Sequence, residues 1–277
     1  MNERVAIIGA GTMGAGIARV FAPHCEVRVF DPVRPADDLP AGVLTTTTLG
    51  DAVADATVII ETVTEDLAVK RAVFAELEAL ENTGIWASNS STFAPSEIAA
   101  GRNDPSRVIN VHFFNPADVV PLVEVVPAPS TDAAVIDQVM GLLGAVGKVP
   151  VLLKREVDGF VANRLQAALV REALALVESG VVSVEELDLV VTAGLGPRWA
   201  ASGPLMTMDL GGLDVWKVLA DRLFPQLDAS TGASPTLRAL VAEGALGAKT
   251  GRGFYVHSDE STRMRRAAIG DAFDRGR

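Results

Sequence analysis

Val5-Ala6-Ile7-Ile8-Gly9-Ala10-Gly11-Thr12-Met13-Gly14-Ala15-Gly16-Ile17-Ala18 begins as an apolar run, breaks at glycines 9, 11 and 14, and resumes with small residues. The run Val5 to Ile8 shows no polar alternation, as expected of a strand buried on both faces. Gly9 permits a tight turn after it. Gly11 lets the backbone approach a pyrophosphate, and Gly14 lets the following helix pack closely on the strand. Ala15 to Phe21 reads as that helix and Val27 to Phe30 as the next strand, which ends at Asp31-Pro32.

Outward from this unit, apolar segments recur at Val58 to Ile60, Ile85 to Ala87, Val108-Ile109, Leu122 to Val126 and Val149 to Leu153. Helical patterns intervene at Leu67 to Leu80 and Ala133 to Leu143. Strands alternating with helices predict an α/β fold, a doubly wound and mostly parallel sheet over residues 1–155. After Gly159 the pattern changes. Phe160 to Val177 has helical spacing, Ser183-Val184-Glu185-Glu186 reads as a capping box, and Leu213 to Leu223 and Pro235 to Glu243 read as helices. Residues 156–277 are therefore expected to form an all-helical domain, with a short strand at Phe254 to Val256 and a frayed helix or tail from Arg263 to Arg277. Its amphipathic stripes suit burial against a second copy, as a homodimer.

The chain has 277 residues, 49% of them hydrophobic, enough for a large core. A formal net charge of -11 opposes binding to nucleic acid or to an anionic membrane surface. One cysteine, Cys25, and three histidines do not make a clustered metal site. The first apolar run is broken too early for a signal peptide and no stretch reads as a membrane span, so a cytoplasmic location is expected.

The glycine turn gains meaning from its place between a strand and a helix, and from Asp31, twenty residues after Gly11. A carboxylate there accepts hydrogen bonds from both hydroxyls of an adenosine ribose and repels a ribose phosphate. Gly9, Ala10, Gly11, Thr12, Met13, Gly14 and Asp31 thus point to NAD rather than NADP, with Arg34 as the nearby residue that would favour NADP. Flavin dinucleotides use similar turns, but the chain is short for a flavoenzyme with a substrate domain. His112 follows the expected strand Val108 to Val111, and Glu124 lies inside an apolar run. A carboxylate so placed needs a partner. Pairing it with His112 would orient the ring for proton transfer and favour the imidazolium that transfer creates. A loop-bonded histidine and a surface glutamate are the alternative.

The chain resembles the 3-hydroxyacyl-CoA dehydrogenase family. The likeness is carried, in order, by Gly9 to Ala18, Ser88-Asn89-Ser90-Ser91, His112-Phe113-Phe114-Asn115-Pro116, Leu122-Val123-Glu124-Val125 and Gly159-Phe160-Val161-Ala162-Asn163-Arg164. It continues through Gly203-Pro204-Leu205, Asp209 to Asp214 and Lys249 to Tyr255. The resemblance implies that His112 and Glu124 are the catalytic pair, that Ser91 contacts the substrate oxygen and that Asn163 approaches the acyl carbonyl. It also implies that Glu65, Lys70, Asn89 and Lys249 serve the cofactor.

Two features depart from the family. Members acting on acyl-CoA carry a long helical insertion after the second strand, where this chain has only Pro32 to Leu44, and Asp158 stands where proline is common. The expected reaction is NAD-linked interconversion of an L-3-hydroxyacyl thioester and its 3-keto form. The alternatives are a carrier-protein-linked acyl substrate, or a free small 3-hydroxy acid, since Arg198-Trp199-Ala200 followed by Gly203-Pro204 resembles carnitine and gulonate dehydrogenases. A non-enzymatic NAD-binding protein of the same fold is the remaining class.

Overall fold

The computed structural model describes residues 3–33 and 39–274. Arg34 lies outside the described residues. The chain divides into two compact units, Met1–Val161 and Ala162–Arg277.

In the first unit the order is β1 (Arg4–Ile8), α1 (Thr12–Phe21), β2 (Glu26–Phe30), β3 (Leu44–Thr45), α2 (Leu49–Val53), β4 (Val58–Glu61), α3 (Leu67–Ala79), β5 (Ile85–Ser88), α4 (Pro95–Ala99), β6 (Val108–Phe113), β7 (Leu122–Pro127), α5 (Ala133–Ala145) and β8 (Val149–Leu152). These strands form one sheet in the order β3-β2-β1-β4-β5-β6-β7-β8. The first six give the 3-2-1-4-5-6 order of a doubly wound Rossmann sheet. All pairings are parallel except β6 with β7.

Burial explains the unbroken apolar runs. Val5 and Ile7 of β1 join Ile17, Phe21, Val29, Val111 and Leu143 on one face. Ala6 and Ile8 join Ile59, Phe74, Leu77, Trp86 and Ile98 on the other. Each fully buried isoleucine or phenylalanine contributes roughly 1.5–3 kcal/mol, so the sheet is held from both sides.

The second unit is built from α6 (Phe160–Glu178, which starts in the first unit), α7 (Val184–Val190), α8 (Gly196–Gly211), α9 (Leu213–Leu223), α10 (Pro235–Ala242) and α11 (Asp259–Asp274). The capping box at α7 forms: Glu186 N–H donates to Ser183 Oγ and Ser183 N–H to Glu186 Oε2.

Several expectations are corrected. α1 starts at Thr12, because Gly11 itself is the N-cap. β6 runs on through Phe113, so His112 lies within the strand instead of after it. Phe254 to Val256 forms no strand; only isolated bridges link Arg252 with Gly247 and with Val256. The charged C-terminal segment is helical from Asp259 to Asp274, with Asp259 and Glu260 in its first turn, where a helix favours negative charge.

Candidate active site

The glycine turn sits at the carboxyl end of β1. Gly9 adopts φ +107°, and a Cβ there would lie 2.9 Å from the backbone of Thr62. At Gly14 a Cβ would lie 1.9 Å from the carbonyl oxygen of Gly9. Thr62 closes the turn, its hydroxyl donating to the carbonyls of Ile8 and Gly9 at 3.1 and 2.9 Å. No side chain caps α1 at Gly11, so its first-turn amides remain available to an anion. Asp31 Oδ2 accepts from Ala10 N–H at 2.8 Å and Oδ1 from Val33 N–H at 2.9 Å. These two amides hold the carboxylate beside the glycine turn. An uncapped helix start beside a fixed carboxylate fits the diphosphate and adenosine ribose of NAD.

His112 and Glu124 face each other directly in the antiparallel pairing of β6 and β7. This single reversed strand brings together two residues twelve apart in sequence. His112 Nδ1 donates to Glu124 Oε2 at 3.0 Å, and both residues are buried, at 5% and 2% exposure. Glu124 Oε1 also accepts from Val161 N–H at 2.9 Å, in the first turn of α6. Phe114 and Phe160 flank the imidazole with ring centroids 4.5 and 5.5 Å away. With Nδ1 tied to the carboxylate and the ring clamped, Nε2 is the atom left for a substrate proton.

A second buried cluster lies at the adjoining strand ends. Glu61, the last residue of β4, is paired in register with Ile8 and with Ser88. Its carboxylate accepts from Lys70 Nζ at 2.9 and 3.2 Å, Ser88 Oγ at 2.6 Å and Val63 N–H at 2.7 Å. Lys70 also pairs with Glu65 at 3.2 Å. Glu65 Oε1 in turn accepts from Ser90 Oγ at 2.7 Å, Ser91 N–H at 3.0 Å and Thr92 N–H at 2.9 Å. Burial pushes the Glu61 carboxyl up from its ordinary range, against the opposing pull of Lys70. At Glu65 burial acts in the same direction but is outweighed by the Ser90 hydrogen bond and the Lys70 charge, so its carboxyl is held down.

This cluster and its surroundings hold three of the expected site residues. Lys70 is only 1% exposed, and its ammonium pairs with Glu61 and Glu65. The Asn89 side chain holds the end of β6, its Oδ1 accepting from Phe113 N–H at 2.9 Å. Ser91, half-buried, is set beside Glu65 by its backbone amide. Glu61 was not foreseen, although a carboxylate ending the apolar run Val58-Ile59-Ile60 carries the same signal that pointed to Glu124. The structure thus brings together Gly9 to Gly14 with Asp31, His112 with Glu124, and Glu65 with Lys70 and Ser91. Asn163, half-buried in α6, and Lys249, exposed in the turn before Gly251, belong to the second unit. Among the described residues no His, Cys, Asp or Glu group could hold a metal ion, and no helix is long and apolar enough to cross a membrane.

A dinucleotide turn with an aspartate at the end of the second strand, and a carboxylate-oriented histidine in the same domain, define an NAD-dependent oxidoreductase. Comparison with known proteins makes the class more specific. Residues 33–157 match the model of the 3-hydroxyacyl-CoA dehydrogenase NAD-binding domain, and residues 159–257 that of the 3-hydroxyacyl-CoA dehydrogenase C-terminal domain. The chain belongs to the 3-hydroxyacyl-CoA dehydrogenase family. It is 36% identical to a 3-hydroxybutyryl-CoA dehydrogenase of Mycobacterium tuberculosis, over 92% of this chain and 98% of that one. Among solved structures, a 5-formyl-3-hydroxy-2-methylpyridine 4-carboxylic acid 5-dehydrogenase, described as an NAD-dependent dismutase, superposes with a TM-score of 0.91 at 30% identity, over 99% and 96% of the two chains. A 3-hydroxyacyl-CoA dehydrogenase from Archaeoglobus fulgidus gives a TM-score of 0.75 at 32% identity, over 99% and 98%.

Proposed function

We propose that the protein oxidises a small free hydroxy acid with NAD, or reduces the corresponding oxo acid, and that a CoA thioester is not its preferred substrate. One observation carries this choice. The TM-score is 0.91 to a dehydrogenase of a free pyridine carboxylate, against 0.75 to the Archaeoglobus acyl-CoA enzyme, at similar identity and coverage. The short connection from β2 to β3, residues 31–43, supports it, because a long helical insertion that would hold CoA does not fit there. So does the likeness of Arg198-Trp199-Ala200 and Gly203-Pro204 to carnitine and gulonate dehydrogenases.

In this reading NAD, when bound on Gly9 to Gly14 and Asp31, supplies the hydride acceptor. His112 Nε2 takes the hydroxyl proton as the carbinol becomes a carbonyl, and returns it in the reverse direction. Glu124 holds the ring and balances the imidazolium charge. Ser91 and Asn163 donate hydrogen bonds to the developing carbonyl and to the substrate's polar group, and Lys249 serves the cofactor. Polar groups aimed at charge that develops during reaction lower the barrier more than contacts made equally before and after.

The thioester reading draws on the mycobacterial relative, and one experiment separates the two. NADH formation is followed with free 3-hydroxy acids, a hydroxymethyl pyridine carboxylate, 3-hydroxybutyryl-CoA and a 3-hydroxybutyryl carrier protein. We expect the best free acid to exceed the CoA ester in kcat/KM by about tenfold or more, since the connection from β2 to β3 is too short for a long helical insertion to grip the remote end of CoA. A CoA or carrier-protein ester that outruns every free acid would reverse the assignment.

The proposal includes a homodimer formed through the helical unit, in the cytoplasm. Among the described residues of that unit only Thr207 and Ala245 are buried, while Leu205, Leu210, Val218 and Phe224 are each more than two-thirds exposed. Helices with so little core of their own gain stability by covering these faces with the same faces of a second copy. Sedimentation at micromolar concentration should give twice the chain mass, with a melting temperature that rises with protein concentration. A monomer with a concentration-independent melting temperature would exclude it.

A further inference from the structure

We propose that Glu61 is a positioning residue for the reaction, acting on Ser91 through Lys70 and Glu65; this rests on the reading of Ser91 as a substrate contact. Glu61 is wholly buried at the end of β4, and its carboxylate is the one point from which two separate supports reach the Ser88 to Thr92 turn. The first support is direct. Ser88 Oγ donates to Glu61 Oε2 at 2.6 Å and accepts from Ser90 N–H at 3.1 Å, which fixes the start of the turn. The second runs through charge. Glu61 holds the Lys70 ammonium, Lys70 holds Glu65 Oε2, and Glu65 Oε1 gathers the amides of Ser91 and Thr92 with the hydroxyl of Ser90.

The sign of the charges explains why Glu61 is needed. Glu65 is partly exposed, with a side-chain exposure of 36%, and its donors Ser90, Ser91 and Thr92 all belong to the turn it holds, so they do not prevent a joint shift of carboxylate and turn. Lys70 stops it, and Lys70 tolerates burial only because Glu61 neutralises it. Removing the Glu61 charge leaves a buried ammonium with a single, solvent-facing partner. Lys70 then shifts toward water, Glu65 follows, and the Ser91 backbone loses its fixed acceptor. Glu61 itself touches neither substrate nor cofactor, so the consequence falls on the placement of Ser91.

The test uses Glu61→Gln, Ser91→Ala and their double variant, with kcat and KM for the best hydroxy acid at saturating NAD, NADH binding by fluorescence, and melting temperature. Glutamine keeps the shape and the acceptor for Val63 N–H. We expect Glu61→Gln to lower kcat about tenfold, KM and NADH affinity to change less than about threefold, and the double variant to be no slower than Ser91→Ala alone. A double variant slowed by the product of the two single effects would overturn the proposal, as would full activity in Glu61→Gln. If Ser91→Ala is fully active, the reading of Ser91 fails and this proposal falls with it. If Ser91→Ala is impaired and Glu61→Gln is not, only the proposal for Glu61 fails. Should Glu61→Gln fold poorly, the charge-neutral pair Glu61→Gln with Lys70→Met restores folding. That pair should regain the melting temperature and stay slow, because Glu65 remains unanchored, whereas recovery of both would mark Glu61 as structural only.

Discussion

Replacing His112 by alanine lowers kcat roughly a hundred- to ten-thousandfold, the range general acid-base groups supply, while NADH binding changes little. The ring is the one protonatable group on β6, and its Nδ1 is fixed by Glu124 at 3.0 Å with Phe114 and Phe160 on either side. Nothing in that arrangement lets a neighbour take over Nε2. Alanine also leaves the Glu124 carboxylate buried with a lost partner, which destabilises the fold. A parallel His112→Gln variant keeps a donor for Glu124 and isolates the chemical effect. Steady-state NADH absorbance measures both, and a kcat within about threefold of the parent in either variant would remove His112 from the reaction.

Gly14→Ala has the second large effect, and it acts on cofactor binding. The new methyl would meet the Gly9 carbonyl oxygen at 1.9 Å and the Thr62 hydroxyl at 2.9 Å. Both contacts involve the turn that α1 and β1 share, and a backbone carbonyl has no rotamer by which to yield. The turn must open, moving the α1 amides away from the site of the diphosphate. Overpacking of this severity costs about 3 kcal/mol or more, which corresponds to a fall in melting temperature of roughly 6–12 °C. Fluorescence titration should find NADH affinity reduced about a hundredfold or beyond. Normal NADH binding in Gly14→Ala would mean that the dinucleotide lies elsewhere.

Much of this architecture was legible because buried parallel strands are chemically plain. Val5 to Ile8, Val58 to Ile60 and Ile85 to Ala87 need no partner to be recognised, since both of their faces are apolar. Leu213 to Leu223 reads as a helix from its spacing alone and forms one with the same bounds. The reversal of β7 was not legible, because the strand is as apolar as its parallel neighbours and direction leaves no mark on composition. α8 was hidden for a different reason: Gly203-Pro204 reads as a break, whereas the chain kinks at Gly203, with φ +70°, and continues helical on both sides.

At the site, sequence located chemistry better than contacts. His112 and Glu124 stood out as a rare ring and a costly carboxylate, and their pairing follows from burial. Nothing in the sequence around Lys70 shows that α3 sets it against Glu61. The partner lies nine residues earlier on another element, a distance that helical periodicity does not encode. The use of the Asn89 carboxamide by the Phe113 amide of a neighbouring strand is hidden from sequence for the same reason.

The most direct examination of the account is a crystal structure of the protein with NADH and a free oxo or hydroxy acid that binds without turning over. The account predicts the acid's oxygen at hydrogen-bond distance, about 3 Å, from His112 Nε2, with its carbon against the nicotinamide. An acid bound away from the imidazole, or a nicotinamide resting far from β6, would contradict it.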